Sequence, residues 1–310
     1  MKKFTFAAIV GVLFHLGGIL CQTWASRIAY ICEEGFDICT INPDGTDRQR
    51  VTRTPDIDEW WPTWYPDGKW IAFGCFDPKR LVMTDLKGDN ETLLIKPYQN
   101  SSPPTWSPGG TKIAFANVQK LYILDIITGE KKEIWPLGPK TLGYRDPAWS
   151  PDGREIAFAS LSWQGNQRDI YVTNIEGNQV RRLTNHPFED RAPAWSPDGR
   201  RIAFYSNRDH QAGIFVMDAD GANIKRLTIG FHDYPTWSPD GKQIAVWIAG
   251  DPPGIGVMRA SGRGLKVIAR GTHPSWQPAG VMAVEPMGKL PSIWGLMKSK
   301  IRLPQFYLNR

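Results

Sequence analysis

Between Ile28 and Trp276 the chain alternates short, mostly apolar runs with polar turns, and the alternation itself repeats. In one copy, Ala194-Trp195-Ser196 predicts a short strand and Pro197-Asp198-Gly199 a tight turn, since Pro presets its own dihedral and Gly accepts a positive one. Ile202-Ala203-Phe204-Tyr205 predicts an apolar second strand, and Ile214-Phe215-Val216-Met217 a third. A hairpin turn at Asp220-Gly221 leads to a fourth strand, Lys225-Arg226-Leu227-Thr228. Polarity rises from the second strand to the fourth, as expected if the first strands line a crowded hub and the fourth faces solvent.

The other copies share this plan. Each carries Pro-x-Trp, with indoles at Trp64, Trp106, Trp149, Trp195, Trp237 and Trp276, spaced 42, 43, 46, 42 and 39 residues apart. The turn recurs at Pro66-Asp67-Gly68, Pro151-Asp152-Gly153 and Pro239-Asp240-Gly241, and degrades at Pro108-Gly109-Gly110 and Pro278-Ala279-Gly280. Ile-Ala-Phe or a variant follows at Ile71, Ile113, Ile156, Ile202 and Ile244, its small Ala suited to close packing of sheet on sheet. A period of this length belongs to four-stranded propeller blades, which bury their faces only against one another. The ends complete the ring. Ile28-Ala29-Tyr30 is a second strand lacking a first, and His273-Pro274-Ser275-Trp276 is a first strand lacking the rest. The expected fold is therefore all-β: a six-bladed β-propeller of four-stranded antiparallel blades, closed by a blade shared between the N- and C-terminal segments. Val281–Val284 resembles a seventh second strand and is expected to extend or compete at the closing blade.

The flanks differ from the repeats. Lys2-Lys3, the apolar run Phe4–Leu20 and Thr23-Trp24-Ala25 read as an export signal over residues 1–25, with an uncleaved anchor as the alternative. Residues 26–285 form the propeller. Residues 286–310 form a basic tail carrying Trp294, Lys298, Lys300 and Arg302, read either as a short amphipathic helix over one face or as a partner-binding tail. Net charge is +6 and the excess is scattered, which argues against nucleic acid as a partner. Cys32 and Cys39 fall on neighbouring strands of one hairpin; an exported protein can bridge them, and two buried thiols fit equally. Cys75 repeats the position of Cys32 and is expected to pack.

The succession Asp169-Ile170-Tyr171-Val172, Arg181-Arg182-Leu183-Thr184, Pro193-Ala194-Trp195-Ser196-Pro197-Asp198-Gly199 and Ile202-Ala203-Phe204 resembles the propeller domain of the TolB-like family. The resemblance covers residues 27–285 and implies the propeller fold and a periplasmic setting. The α/β domain that precedes the propeller in TolB is expected to be absent, because the signal segment runs almost directly into Ile28.

Repeated residues build the fold, so function is sought where the copies differ. The segments before each Pro-x-Trp are expected to rim one mouth of the central channel. They supply Glu59, Trp60 and Trp61; Tyr144, Arg145 and Asp146; Glu189, Asp190 and Arg191; His232, Asp233 and Tyr234; and His273. Aromatics with mixed charges suit recognition of a peptide, a protein loop or a polar ligand. The loops Ser160–Arg168, with Trp163 as a further binding candidate, and Ser206–Gly213 are expected on the opposite face or around the side. The expectation is an exported, non-enzymatic, monomeric scaffold without cofactor. The alternative is a metal-dependent lyase or hydrolase acting on a polar polymer such as a polysaccharide, using His232, Asp233 and His273 with Glu189 and Asp190. Asp218 and Asp220 belong to a repeated hairpin turn, and the Trp-Ser-Pro serines recur too often to be nucleophiles.

Overall fold

The computed structural model describes residues 26–279 apart from 33–35, 55–56, 97, 99–101, 118, 135, 139–142 and 162–166. The signal segment, the basic tail, Val281–Val284 and Trp163 lie outside the described residues. Six four-stranded antiparallel sheets surround a channel. Their innermost strands are Thr272–Trp276 in blade 1, Glu59–Trp64 in blade 2, Thr105–Trp106 in blade 3, Arg145–Trp149 in blade 4, Asp190–Trp195 in blade 5 and His232–Trp237 in blade 6. Blade 1 joins both ends of the propeller: Thr272–Trp276 pairs with Ile28–Ile31, followed outward by Ile38–Ile41 and Gln49–Arg50. Gln277 reinforces the closure, its N–H donating to the Arg27 carbonyl and its side-chain oxygen accepting the Arg27 N–H, both at 2.8 Å.

The repeated residues have structural work that the contacts make explicit. Blade indoles reach across to the preceding inner strand: Trp64 Nε1 donates to the Ser275 carbonyl at 3.0 Å, Trp195 to Ala148 at 3.2 Å and Trp237 to Ala194 at 3.1 Å. In the Ser-Pro-Asp-Gly turns, Ser196 Oγ donates to Asp198 Oδ1 at 2.6 Å and accepts the Arg201 N–H at 2.9 Å, a pattern repeated at Ser150–Asp152 and Ser238–Asp240. Those serine bonds hold the carboxyls of Asp152, Asp198 and Asp240 below their ordinary range. The closing threonines act likewise, the hydroxyls of Thr52, Thr184 and Thr228 accepting the N–H of Ile38, Ile170 and Ile214 at 2.8, 2.9 and 2.9 Å. Ala29, Ala72, Ala114, Ala157, Ala203 and Ala245 are fully buried between sheets.

Cys32 and Cys39 form a disulfide with their Cα atoms 5.8 Å apart, which decides between the two readings of that pair. Cys75 is a buried free thiol that burial pushes up to about 11. Among the described residues no helix is long and apolar enough to cross a membrane.

The strand register corrects one expectation. The start of each inner strand pairs with the end of the second strand, as in Glu59 with Cys75, Asp190 with Ser206 and His232 with Ile248. The described loop Ser206–Gly213, between second and third strands, therefore shares a face with the segments before Pro-x-Trp and belongs to the same rim. In an antiparallel meander, alternate connections must return to one end.

Candidate functional site

Every inner strand except that of blade 3 breaks its register three residues before the blade tryptophan. At that position Trp61, Asp146, Ala192, Tyr234 and His273 all have left-handed backbones, with φ of 56°, 51°, 51°, 47° and 53°, and Pro103 takes the place in blade 3. The next residue is always proline, which has no N–H to lose from the ladder and is tolerated at bulges. Holding a side-chain-bearing residue in this region costs about 1 to 2 kcal/mol. No glycine stands at any of the six positions to relieve it. A bulge of this kind re-aims its side chain, here forming a ring around the channel.

Aromatic rings fill one side of that ring. His273 lies among four of them: Tyr234 at 4.6 Å between centroids, Trp247 stacked at 5.7 Å, and Trp61 and Trp60 edge-on at 6.3 and 6.4 Å. Phe36 stacks on Trp60 at 5.7 Å, while Phe231 meets Trp247 at 5.9 Å and Tyr205 at 5.5 Å. The result is a continuous aromatic band across blades 1, 2, 5 and 6, of which Phe36 and Phe231 are exposed members. The indole N–H groups of Trp60, Trp61 and Trp247 are buried and have no hydrogen-bond partner among the described residues. Burial depresses the His273 imidazole to about 4, so it is neutral at pH 7.

Ion pairs brace the other side. Arg191 binds Asp233 through Nε and Nη2 at 3.0 and 2.6 Å and Glu189 at 3.0 Å, with its guanidinium 4.0 Å above the Tyr205 ring. Burial opposes the Arg191 charge, but Asp233 and Glu189 more than offset it and hold the group above its ordinary value. Arg168 also reaches Glu189, at 2.8 Å, and Arg208 grips both oxygens of Asp190 at 3.0 and 3.1 Å. The Asp146 N–H donates to Ser102 Oγ at 2.9 Å, and its Oδ2 accepts the Ala192 N–H at 3.2 Å, tying blades 3, 4 and 5 together.

The rim residues expected to bind thus separate into groups. Trp60, Trp61, Tyr234 and His273 come together in the band, and Arg145, Asp146, Arg191 and Asp233 form a charged cluster beside it. Glu59 is buried beneath the rim, where its carboxylate accepts from Thr52, from Thr54 at 2.7 Å and from the Ile38 N–H at 3.1 Å. Burial raises its carboxyl above the usual range. Tyr144 is buried against Phe158, its hydroxyl accepting the Leu137 N–H at 3.2 Å. His232 is buried with Nδ1 2.9 Å from Thr228 Oγ1, and burial lowers its pKa. Asp190 and Glu189 are engaged by arginines. Phe36, Tyr205 and Trp247 were absent from the sequence-based set of candidates, while Phe231 lies in the rim segment Phe231-His232-Asp233-Tyr234. Tyr205 and Trp247 did leave a signal: both stand directly after the Ile-Ala-Phe or Ile-Ala-Val triplet, where Gly74, Ala116 and Ala159 stand in blades 2, 3 and 4.

A catalytic metal centre would need several converging ligands. Among the described residues no group of three His, Cys, Asp or Glu side chains is placed to hold a metal ion.

Comparison with known proteins agrees with the architecture. The family model described as the TolB beta propeller domain matches residues 74–288. A protein TolB homolog of Protochlamydia amoebophila is 38% identical over 55 residues, which is 16% of this chain and only 12% of that relative. Among solved structures, TolB from Acinetobacter baumannii superimposes with a TM-score of 0.71 at 23% identity, covering 83% of this chain and 67% of that one. A putative TolB from Agrobacterium tumefaciens gives 0.64 at 22% identity, covering 80% and 91%. An oligogalacturonate lyase in complex with manganese shares the fold at a TM-score of 0.53 and 15% identity, covering 78% and 71%.

Proposed function

The chain belongs to the TolB β-propeller family, and from that premise we propose that it is an exported, non-catalytic scaffold that binds a protein or peptide segment at the channel mouth. The observation that carries this reading is the aromatic band with its three unpartnered indole donors. Aromatic faces give an incoming chain large contact area at small entropic cost, and buried N–H groups without partners favour a ligand rich in carbonyl acceptors. An extended peptide offers both. The Cys32–Cys39 disulfide suits an oxidising compartment outside the cytosol.

Panning a random peptide library against the purified protein tests the reading. Selected peptides are expected to lose about tenfold or more in affinity for Trp61→Ala and Trp247→Ala, with circular dichroism unchanged. Peptides that bind both variants as tightly as the wild type would refute a channel-mouth site.

A further inference from the structure

The bulge ring is chemically lopsided, and its charged half contains an unmet requirement. Asp146 is 5% exposed and only one of its carboxylate oxygens is used. Oδ1 is buried and has no hydrogen-bond donor among the described residues. Buried acceptors of this kind are rare because desolvation is costly, so a ligand able to donate there gains what the free protein lacks.

The surroundings select which donor fits. Arg191 is committed to Asp233, Glu189 and the Tyr205 ring. Burial raises the Asp146 carboxyl, Arg145 draws it down, Asp233 pushes it up and Arg191 draws it down again, and the balance lies at about 6. Even with two guanidinium groups nearby, burial keeps the Asp146 carboxyl above its ordinary value. Tyr234, two blades on and separated from Asp146 in the bulge ring by Ala192, senses the Asp146 charge. A phenol face attracts cations, and His273 beyond it is neutral above about pH 4 and does not compete.

We propose that the channel ring reads a basic side chain, an ammonium or guanidinium group that donates to Asp146 Oδ1 and lies against the ring of Tyr234. The inference rests on the peptide-binding reading for what carries the cation, but the cation site itself can be tested alone. N-acetyl-arginine methylamide, its lysine counterpart and its neutral citrulline counterpart are titrated into the purified protein, followed by tryptophan fluorescence and by the indole N–H resonances. The two cations are expected to bind saturably and the citrulline compound about tenfold more weakly. Asp146→Asn should bring the cations down to the citrulline level. Wild-type affinity for the arginine compound should fall from pH 7 to pH 5 as protons compete for Asp146, while the variant's profile stays flat. Equal binding of the arginine and citrulline compounds, unchanged affinity in Asp146→Asn, or no saturable binding of the arginine compound would each overturn the proposal. A protein that binds the arginine compound yet selects no peptide refutes the peptide reading and leaves the cation site standing. A protein that selects peptides yet binds neither cationic compound saturably does the opposite.

Discussion

Asp146→Asn should make this protein more stable at neutral pH, although it removes a charge flanked by two arginines. The folded-state carboxyl titrates at about 6 against 3.8 for the free side chain, with burial the largest cause. A raised carboxylate pKa means that ionised Asp146 opposes folding at pH above 6, and that the penalty fades as pH falls from 6 towards 3.8. A shift of about two units corresponds to about 3 kcal/mol. That figure is an upper bound because water entering the channel screens the charge, and a gain of about 1 to 2 kcal/mol is the working expectation. Asparagine keeps an oxygen for the Ala192 N–H, tolerates the left-handed backbone at φ 51° and carries no charge. In a domain of this size the gain raises the melting temperature by about 2 to 4 °C per kcal/mol. Urea denaturation of wild type and variant at pH 7.5 and pH 4 measures it, with the difference expected at pH 7.5 and nearly absent at pH 4. A variant no more stable than wild type at pH 7.5 would show that the Asp146 charge is adequately met in the folded protein.

His273 should have the opposite dependence. Its folded pKa of about 4 lies below the 6.5 of the free side chain, so wild-type stability is lost as pH falls from 6.5 towards 4. His273→Asn, which suits φ 53°, should flatten that part of the profile by up to about 3 kcal/mol, read from denaturation midpoints at pH 7 and pH 4.5. An unchanged slope would remove His273 as its source. The blade tryptophans provide a third comparison. Trp237→Phe deletes a bond to the Ala194 carbonyl and strands that acceptor, whereas Trp149 has a buried indole N–H with no partner among the described residues. Trp237→Phe should therefore cost about 1 to 2 kcal/mol more than Trp149→Phe, and equal losses would remove the interblade bond as the reason for the repeated indole.

The legible part of the molecule was the part the sequence states several times. Trp-Ser-Pro-Asp-Gly turns form from their own hydroxyl, carboxylate and positive-φ glycine, so Ser196 and Asp198 behave as their neighbours in sequence dictate. Closure of the ring also followed from counting, because Ile28–Ile31 lacked the partner that Thr272–Trp276 supplies. The site was only half legible. Rim segments could be located, but Glu59 and Trp60 are adjacent in sequence and alternate between a buried carboxylate network and the aromatic band, according to which side of the strand each faces.

By itself the sequence determined the six blades, the splice of the two ends and the structural standing of the repeated Ser, Asp and Trp. Each of these depends on local turn chemistry and on a hydrophobic period that any copy reports to the others. The aromatic band, the orphaned oxygen of Asp146 and the shared face of the two loop sets were decided by tertiary structure alone. They join residues from five blades: Phe36 meets Trp60, Trp61 meets His273, Tyr234 meets His273, and Asp146 meets Ala192. A bulge in one strand turns a side chain towards the channel, but what it meets there belongs to other blades, and no periodicity within a single repeat encodes that meeting.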